Sequence, residues 1–550
     1  MCIEYYSYYA KLLEIVIRQS KISEQVLMGA EDEDNYVRSE LNESIIDVID
    51  VIGAEPSLQI VLGMLEQCHS ADESADKYIS VEACLNGVEV VAHFLGADDH
   101  SSSNQLMAFL TTLPSHLPGL VRVRNKIIAS FSNYLGSHSE YLPNLMELAS
   151  TGLLNEHTSA TSAHTLMCLF KFCRAVQESL EIPTFYAQIC QLREKGELAV
   201  KPEVDILTGL SHILSEMDVA SCEGALEHLI EPIISAISHN IAHHSNNQKD
   251  IMDHVDRITA VMSNTRCRRS ALTADVQHPV LSVFLKLLPT FRMLLEAYSS
   301  EVVCEKVCRC YKHVMRNTQE YFFPFLEAMA DHVTHEFQTK PFASFIYVSS
   351  ICVSIFGESL PSSYVDNSGQ RMIANMNVNQ MKTVLLKQYS GVTSIFFSKC
   401  SSIESFEEFP DLVEEFFYFS ARFVQTLPEE FLSFSESVNV LQAAVSGLSL
   451  RHREAQKGIL LFFERFVDLP KQMHELSSSP HAGSNCANLI SVCQDLLLKC
   501  MPSLVSAIFV SLSGAVPAYA IDENYGSIAD VLWRLKKMCP VEFNVSTVVA

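Results

Sequence analysis

Apolar residues recur along nearly the whole chain at i, i+3, i+4 and i+7, the spacing that lines one face of an α-helix. The pattern predicts helices over Tyr6–Ile17, Val37–Ile52, Val280–Leu295, Leu412–Thr426 and Ile459–Val467. Strand-type alternation is nearly absent. Proline marks turns between many of these segments, at Glu55-Pro56, Leu117-Pro118, Ile182-Pro183, Lys201-Pro202, His278-Pro279 and Leu469-Pro470. Proline has no amide hydrogen and disfavours helical geometry in the residue before it.

The helical pattern repeats. VEACLNGVEVVAHFLG (Val81–Gly96) and VRVRNKIIASFSNYLG (Val121–Gly136) have equal length, both end in glycine and are offset by 40 residues. ATSAHTLMCLFKFC (Ala160–Cys173) returns to the same apolar pattern 39 residues later. A period near 40 with two helices per unit is that of HEAT and armadillo arrays, in which a hairpin buries its apolar face only against its neighbours. The expected fold is therefore all-α, a HEAT/armadillo-type solenoid of helical hairpins running continuously over residues 1–550. Ala97–Gln105, Ser238–Asp250, Ser263–His278 and Ser477–Asn485 are polar breaks that read as inter-helix loops.

Composition narrows the function. Of 550 residues, 48% are hydrophobic, which excludes wholesale disorder, and 19 Gly with 19 Pro disfavour a turn-dense β fold. Lys plus Arg total 39 against 65 Asp plus Glu, a net charge of −26. That balance argues against coating nucleic acid and suits basic protein partners. The 17 cysteines, Cys168, Cys173, Cys190 and Cys493 among them, are scattered through apolar segments rather than set in a disulfide framework, so reduced, buried thiols are expected. The N-terminus lacks the basic and apolar regions of a signal peptide. The uncharged runs Pro341–Gly357 and Met501–Ile521 read as buried helices rather than membrane spans, the first being short and the second broken by Ser, Gly and Pro.

Against this acidic background, Val303–Asn317 carries a cationic stripe. At about 100° per residue, Lys306, Arg309, Lys312, His313 and Arg316 fall within an arc of roughly 120°. Val303, Val307, Cys310, Tyr311, Val314 and Met315 occupy the other side. A row of four permanent cations suits an anionic partner, phosphate above all; a solvated helix face accounts for the same pattern. Glu31-Asp32-Glu33-Asp34 suits a basic surface or simply a solvated helix entry. Arg266, Arg268 and Arg269 stand in a polar loop that could assist phosphate binding. His239 and His243 have the i,i+4 spacing of helical zinc ligands but no HExxH motif, and Cys304, Cys308 and Cys310 lack CxxC spacing, so no metal site is expected. No phosphate-binding, dinucleotide-binding or nucleophile-elbow motif stands in suitable surroundings, and neither a cofactor nor a catalytic residue is expected.

CEKVCRCYKHVMR (Cys304–Arg316), FPDLVEEFFYFSARFVQTLP (Phe409–Pro428), RHREAQKGILLFFERFVDL (Arg451–Leu469) and DENYGSIADVLWRL (Asp522–Leu535) together resemble the importin-β superfamily of nuclear transport receptors. The resemblance is to the transportin-3 and importin-13 branch and runs through essentially the whole chain. It implies a HEAT-repeat receptor that carries cargo into the nucleus, releases it to RanGTP, meets nucleoporins and shuttles between cytoplasm and nucleus. Neither nucleic acid nor membrane is a direct partner on this reading. It further implies that Lys306, Arg309, Lys312 and Arg316 match the helix that takes phosphorylated Arg/Ser-rich splicing factors. Met1 resembles a point midway along such a receptor, so the N-terminal Ran-binding repeats are expected to be missing and the chain reads as a fragment. The competing expectation is a HEAT scaffold that assembles an enzyme complex without Ran.

Overall fold

The structure, a computed structural model, describes residues 3–31, 35–95, 101–243, 247–267, 277–357, 378–477 and 486–549. Among the described residues 84% are helical and none forms a strand. Two compact units are present, one of residues 1–236 and 256–271, the other of residues 237–255 and 272–550.

The longer helices of the first unit are α1 (Ile3–Gln19), α2 (Asn35–Ile52), α3 (Ala54–His69), α4 (Ala75–Ala92), α5 (Pro118–Ser130), α6 (Ser159–Phe172) and α7 (Val200–Leu214). The three segments that repeat in the sequence fall on α4, α5 and α6, and these helices pack side by side in that order, followed by α7. They occupy successive equivalent places, as a repeat array requires. Polar contacts join repeat to repeat within this stack. Arg38 donates to both carboxylate oxygens of Glu82 at 2.9 Å. Asn86 donates to Asn42 Oδ1 at 2.8 Å, and Asn125 Nδ2 to Ser162 Oγ at 2.8 Å. Glu203, wholly buried, accepts from Arg193 at 2.9 Å and from Arg257 at 2.6 Å. Removing one member of such a buried set strands the others without water, a cost that fixes which helix faces meet.

In the second unit the longer helices are α8 (Pro279–Ala297), α9 (Glu301–Thr318), α10 (Leu326–Thr339), α11 (Ala343–Phe356), α12 (Val378–Lys399), α13 (Pro410–Thr426), α14 (Arg453–Ser477), α15 (Cys486–Val510) and α16 (Tyr525–Met538). One layer runs α9, α11, α13, α14, α16, each packed on the next. Aromatic stacking ties α12 to this layer: Phe396 lies on Phe416 of α13 with centroids 3.9 Å apart, and Tyr389 on Phe423 at 4.1 Å. Gly458 of α14 faces the backbone of α13, where a Cβ would stand 2.8 Å from the Glu414 carbonyl oxygen. Only glycine admits so close an approach of the two helices.

The chain turns just before Pro118, Pro183 and Pro279 as expected, and each proline opens the next helix at its first or second position, where the missing amide hydrogen costs nothing. Other expectations need correction. Pro470 marks no turn at all; it lies inside α14, as Pro289 lies inside α8, held by packing on both sides. Ser101–Leu110 is helical, so the polar break at Ala97–Gln105 is partly a helix start; a helix likewise runs through Ser238 to Ala242. Residues 268–276 and 478–485 of the other two breaks lie outside the described residues. Pro341–Gly357 holds the mostly buried α11. Met501–Ile521 is not the buried helix expected: α15 ends at Val510, Gly514 turns the chain at φ 102°, and Pro517 precedes a short helix. Ile490–Ala515 is long and apolar enough to cross a membrane by length and composition, and only 33% of its apolar window is buried.

Candidate functional site

Helix α9 is built as its pattern requires. The Ser300 hydroxyl accepts from the Val303 amide at 3.4 Å and caps the N-terminus. Val303, Val307, Cys308, Cys310, Tyr311, Val314 and Met315 are buried. Burial pushes the Cys304 thiol up to about 11 and Cys308 higher still, so both stay protonated and unreactive. With that face spent on the core, the cationic side turns outward: Arg309 and Arg316 are exposed, Lys306 and Lys312 half-buried.

Arg309 and Lys312 line a groove of about 610 Å³ formed by three helices. From α9 come also Glu301, Val302, Glu305 and Cys308; from α11 Ala343, Ser344 and Tyr347; from α13 Asp411, Glu414 and Glu415. Lys306 and Arg316 stand on the same helix outside this lining. Lys312 Nζ donates to the Tyr347 hydroxyl at 3.4 Å and lies 5.3 Å from the centre of its ring. Arg422 of α13 is fastened to the Ser350 hydroxyl and lies within the electrostatic reach of both Tyr347 and Arg316.

The groove is two-signed. Burial, helped by the neighbouring Glu414 and opposed by Arg422, raises Glu415 to about 7. Burial with Glu454 and Asp411 raises Glu414 as well. These carboxylates lack a full complement of cations, the state that a guanidinium from outside would relieve. His313 does not add to the cationic row. Burial first, then Lys312, Arg309 and Arg316, lower it to about 4, so it stays neutral near pH 7.

The other sequence candidates lie apart from this groove. Glu31 lines a separate hollow with Lys21 and Arg38, whereas Asp32, Glu33 and Asp34 lie outside the described residues. The Arg266 amide donates to Ser215 Oγ at 2.8 Å; Arg268 and Arg269 also fall outside. His239 and His243 stack at 4.0 Å, and His243 Nδ1 pairs with the His239 carbonyl. Among the described residues no group of three or more His, Cys, Asp or Glu could hold a metal ion.

A family profile described as the fourth TPR domain of transportin-3/importin-13 matches residues 278–382, the span that carries α9 and Tyr347. Transportin MOS14 of Arabidopsis thaliana is 20% identical over 495 residues, covering 87% of this chain and 47% of its own length. The mRNA transport regulator MTR10 of Saccharomyces cerevisiae is 18% identical over 451 residues, covering 78% of this chain and 44% of its own. An uncharacterized Schizosaccharomyces pombe protein is 21% identical over 468 residues, 83% of this chain and 46% of that protein. The chain is thus similar to importin-β-type receptors of the transportin-3 and importin-13 kind. A solved importin-13 structure in its cytosolic state superposes with a TM-score of 0.78 at 18% identity, over 98% of this chain and 58% of that one, which shows the shared fold. The chain spans about half the length of the curated relatives it matches.

Sequence reasoning found the cationic wall and missed its counterparts. Asp411, Glu414 and Glu415 stand at i, i+3, i+4 and share a helix face with one another, and Arg422 follows two turns on. That spacing is visible in the chain; that it comes to face α9 across Tyr347 is not.

Proposed function

We propose that this chain is the cargo-binding part of a nuclear import receptor, and that the groove between α9 and α13 takes phosphorylated Arg/Ser-rich proteins. The supporting observation is the two-signed groove itself. Arg309 and Lys312 on one wall suit phosphoserine, and Asp411, Glu414 and Glu415 on the other suit arginine. A segment in which the two alternate presents both charges within a few ångströms. Lysine at 306 and 312 supplies point charge rather than arginine's planar fork, so phosphate is held by charge more than by bidentate geometry.

On this reading RanGTP competes for the cargo surface or reshapes it, nucleoporins carry the receptor through the pore, and it shuttles between cytoplasm and nucleus. The names transportin and mRNA transport regulator borne by its relatives are in keeping with that role. The test is a titration of one Arg/Ser-repeat peptide, phosphorylated and unphosphorylated, against this chain. Preference for the phosphorylated form supports the reading, and equal affinity defeats it. Pull-down with Ran in its GTP and GDP forms separates a Ran-regulated receptor from a Ran-independent scaffold.

A further inference from the structure

We infer that Tyr347 is the residue that makes the groove selective for phosphate over carboxylate. The inference rests on the phosphoserine reading and goes beyond it by naming a neutral donor between the cations. An ammonium group has three donors and no acceptor, so in the contact between Lys312 Nζ and the Tyr347 hydroxyl the lysine donates and the phenol oxygen accepts. The phenol's own hydrogen is therefore not used in that contact. Tyr347 is half-buried and lines the groove beside Arg309 and Lys312, which leaves its O–H to donate to an acceptor lying there.

Geometry then separates the two anions. A phosphate monoester offers three terminal oxygens in a tetrahedral array, enough to accept from Arg309, Lys312 and the Tyr347 hydroxyl together. A carboxylate's two oxygens accept several hydrogen bonds, but with lone pairs confined near one plane, so it meets donors spread around a tetrahedron less well. Donation from Lys312 polarises the phenol O–H and strengthens it as a donor. Arg422 adds positive potential near Tyr347 while its guanidinium is fastened to Ser350 and does not line the groove. Nothing in the linear pattern distinguishes this tyrosine: it sits in the apolar run FASFIYVSS, which marks only a core helix.

The experiment compares three forms of one Arg/Ser-repeat peptide, carrying phosphoserine, glutamate or serine, against the wild type and Tyr347→Phe. Phenylalanine keeps the ring and its contact with Lys312 and deletes only the hydroxyl. The expected result is a loss of about tenfold for the phosphoserine peptide and a change of less than about twofold for the glutamate peptide. The variant's thermal midpoint should match the wild type's, which excludes a general structural effect. Equal losses for both anionic peptides, or none for either, overturn the role of Tyr347. A wild type that fails to prefer phosphoserine over serine defeats the underlying reading and this inference with it. A phosphoserine preference undiminished in Tyr347→Phe defeats the inference alone.

Discussion

The hydroxyl of Tyr311, on the buried side of α9, lies 3.2 Å from His332 Nε2 on α10. Neither residue is near water: Tyr311 is fully buried and His332 is 9% exposed. Burial lowers His332 to about 4, so the ring is neutral near pH 7 and pairs with the phenol through Nε2. That contact helps fix the rotation of α9, and with it the direction in which the cations one, two and five positions away project.

Tyr311→Phe should therefore cost about 1–2 kcal/mol in denaturant-induced unfolding, because it strands a buried histidine nitrogen. The effect should depend on pH. The unfolded histidine takes up its proton near 6.5 and the folded one only near 4, so the wild type loses stability as pH falls through that window. A mutant with unchanged stability at pH 7.5 would show that apolar packing alone sets the rotation of α9.

Reversing charge at Arg309 and Arg316 tests the cationic wall. The double substitution Arg309→Glu and Arg316→Glu should weaken a phosphorylated Arg/Ser-repeat peptide at least tenfold, about 1.4 kcal/mol or more. Both side chains are exposed, so the fold should be retained, as circular dichroism would report. The unphosphorylated peptide should lose much less. Equal losses for the two peptides would reduce the helix to general electrostatics.

Glu415 gives the opposite wall a calorimetric signature. Its carboxyl is raised to about 7, so near neutral pH it is partly protonated, and an arginine bound beside it would stabilise the charged form and drive the proton off. Binding measured at pH 7 in buffers of different ionisation enthalpy should show proton release, absent in Glu415→Gln. The same raised value implies that the wild type loses stability as pH climbs from 4.5 towards 7, since the unfolded carboxyl ionises first. Glu415→Gln should relieve that loss and be more stable than wild type at pH 8. No buffer dependence would place the arginine of the cargo elsewhere.

Thiol pairing offers a further check. Cys68 and Cys84 stand with sulfurs 4.0 Å apart, as do Cys222 and Cys267. These are thiol contacts, since a disulfide needs about 2.05 Å. Unfolding curves with and without reductant should coincide. A midpoint that drops on reduction would reveal a stabilising disulfide and contradict the assignment of reduced thiols.

Local periodicity determined much of this protein. The apolar spacing of Val37–Ile52 and Leu412–Thr426 marked real helices, and the 40-residue recurrence of Val81–Gly96 at Val121–Gly136 marked helices that stack in order. Both signals are carried by neighbours within a few turns or by direct repetition, so a linear reading captures them. The cations of α9 were legible for the same reason, because one amphipathic helix sets its own inner and outer faces. Only the tertiary structure decided that Asp411, Glu414 and Glu415, about a hundred residues on, come to stand across a groove from Arg309, with Tyr347 between them. It also decided that His313 is neutral and Glu415 half-protonated, since a pKa follows from burial and from charges on other helices rather than from residue type. Pro470 shows the same division. The residue by itself signals a break, and packing on both sides of α14 carries the helix through it.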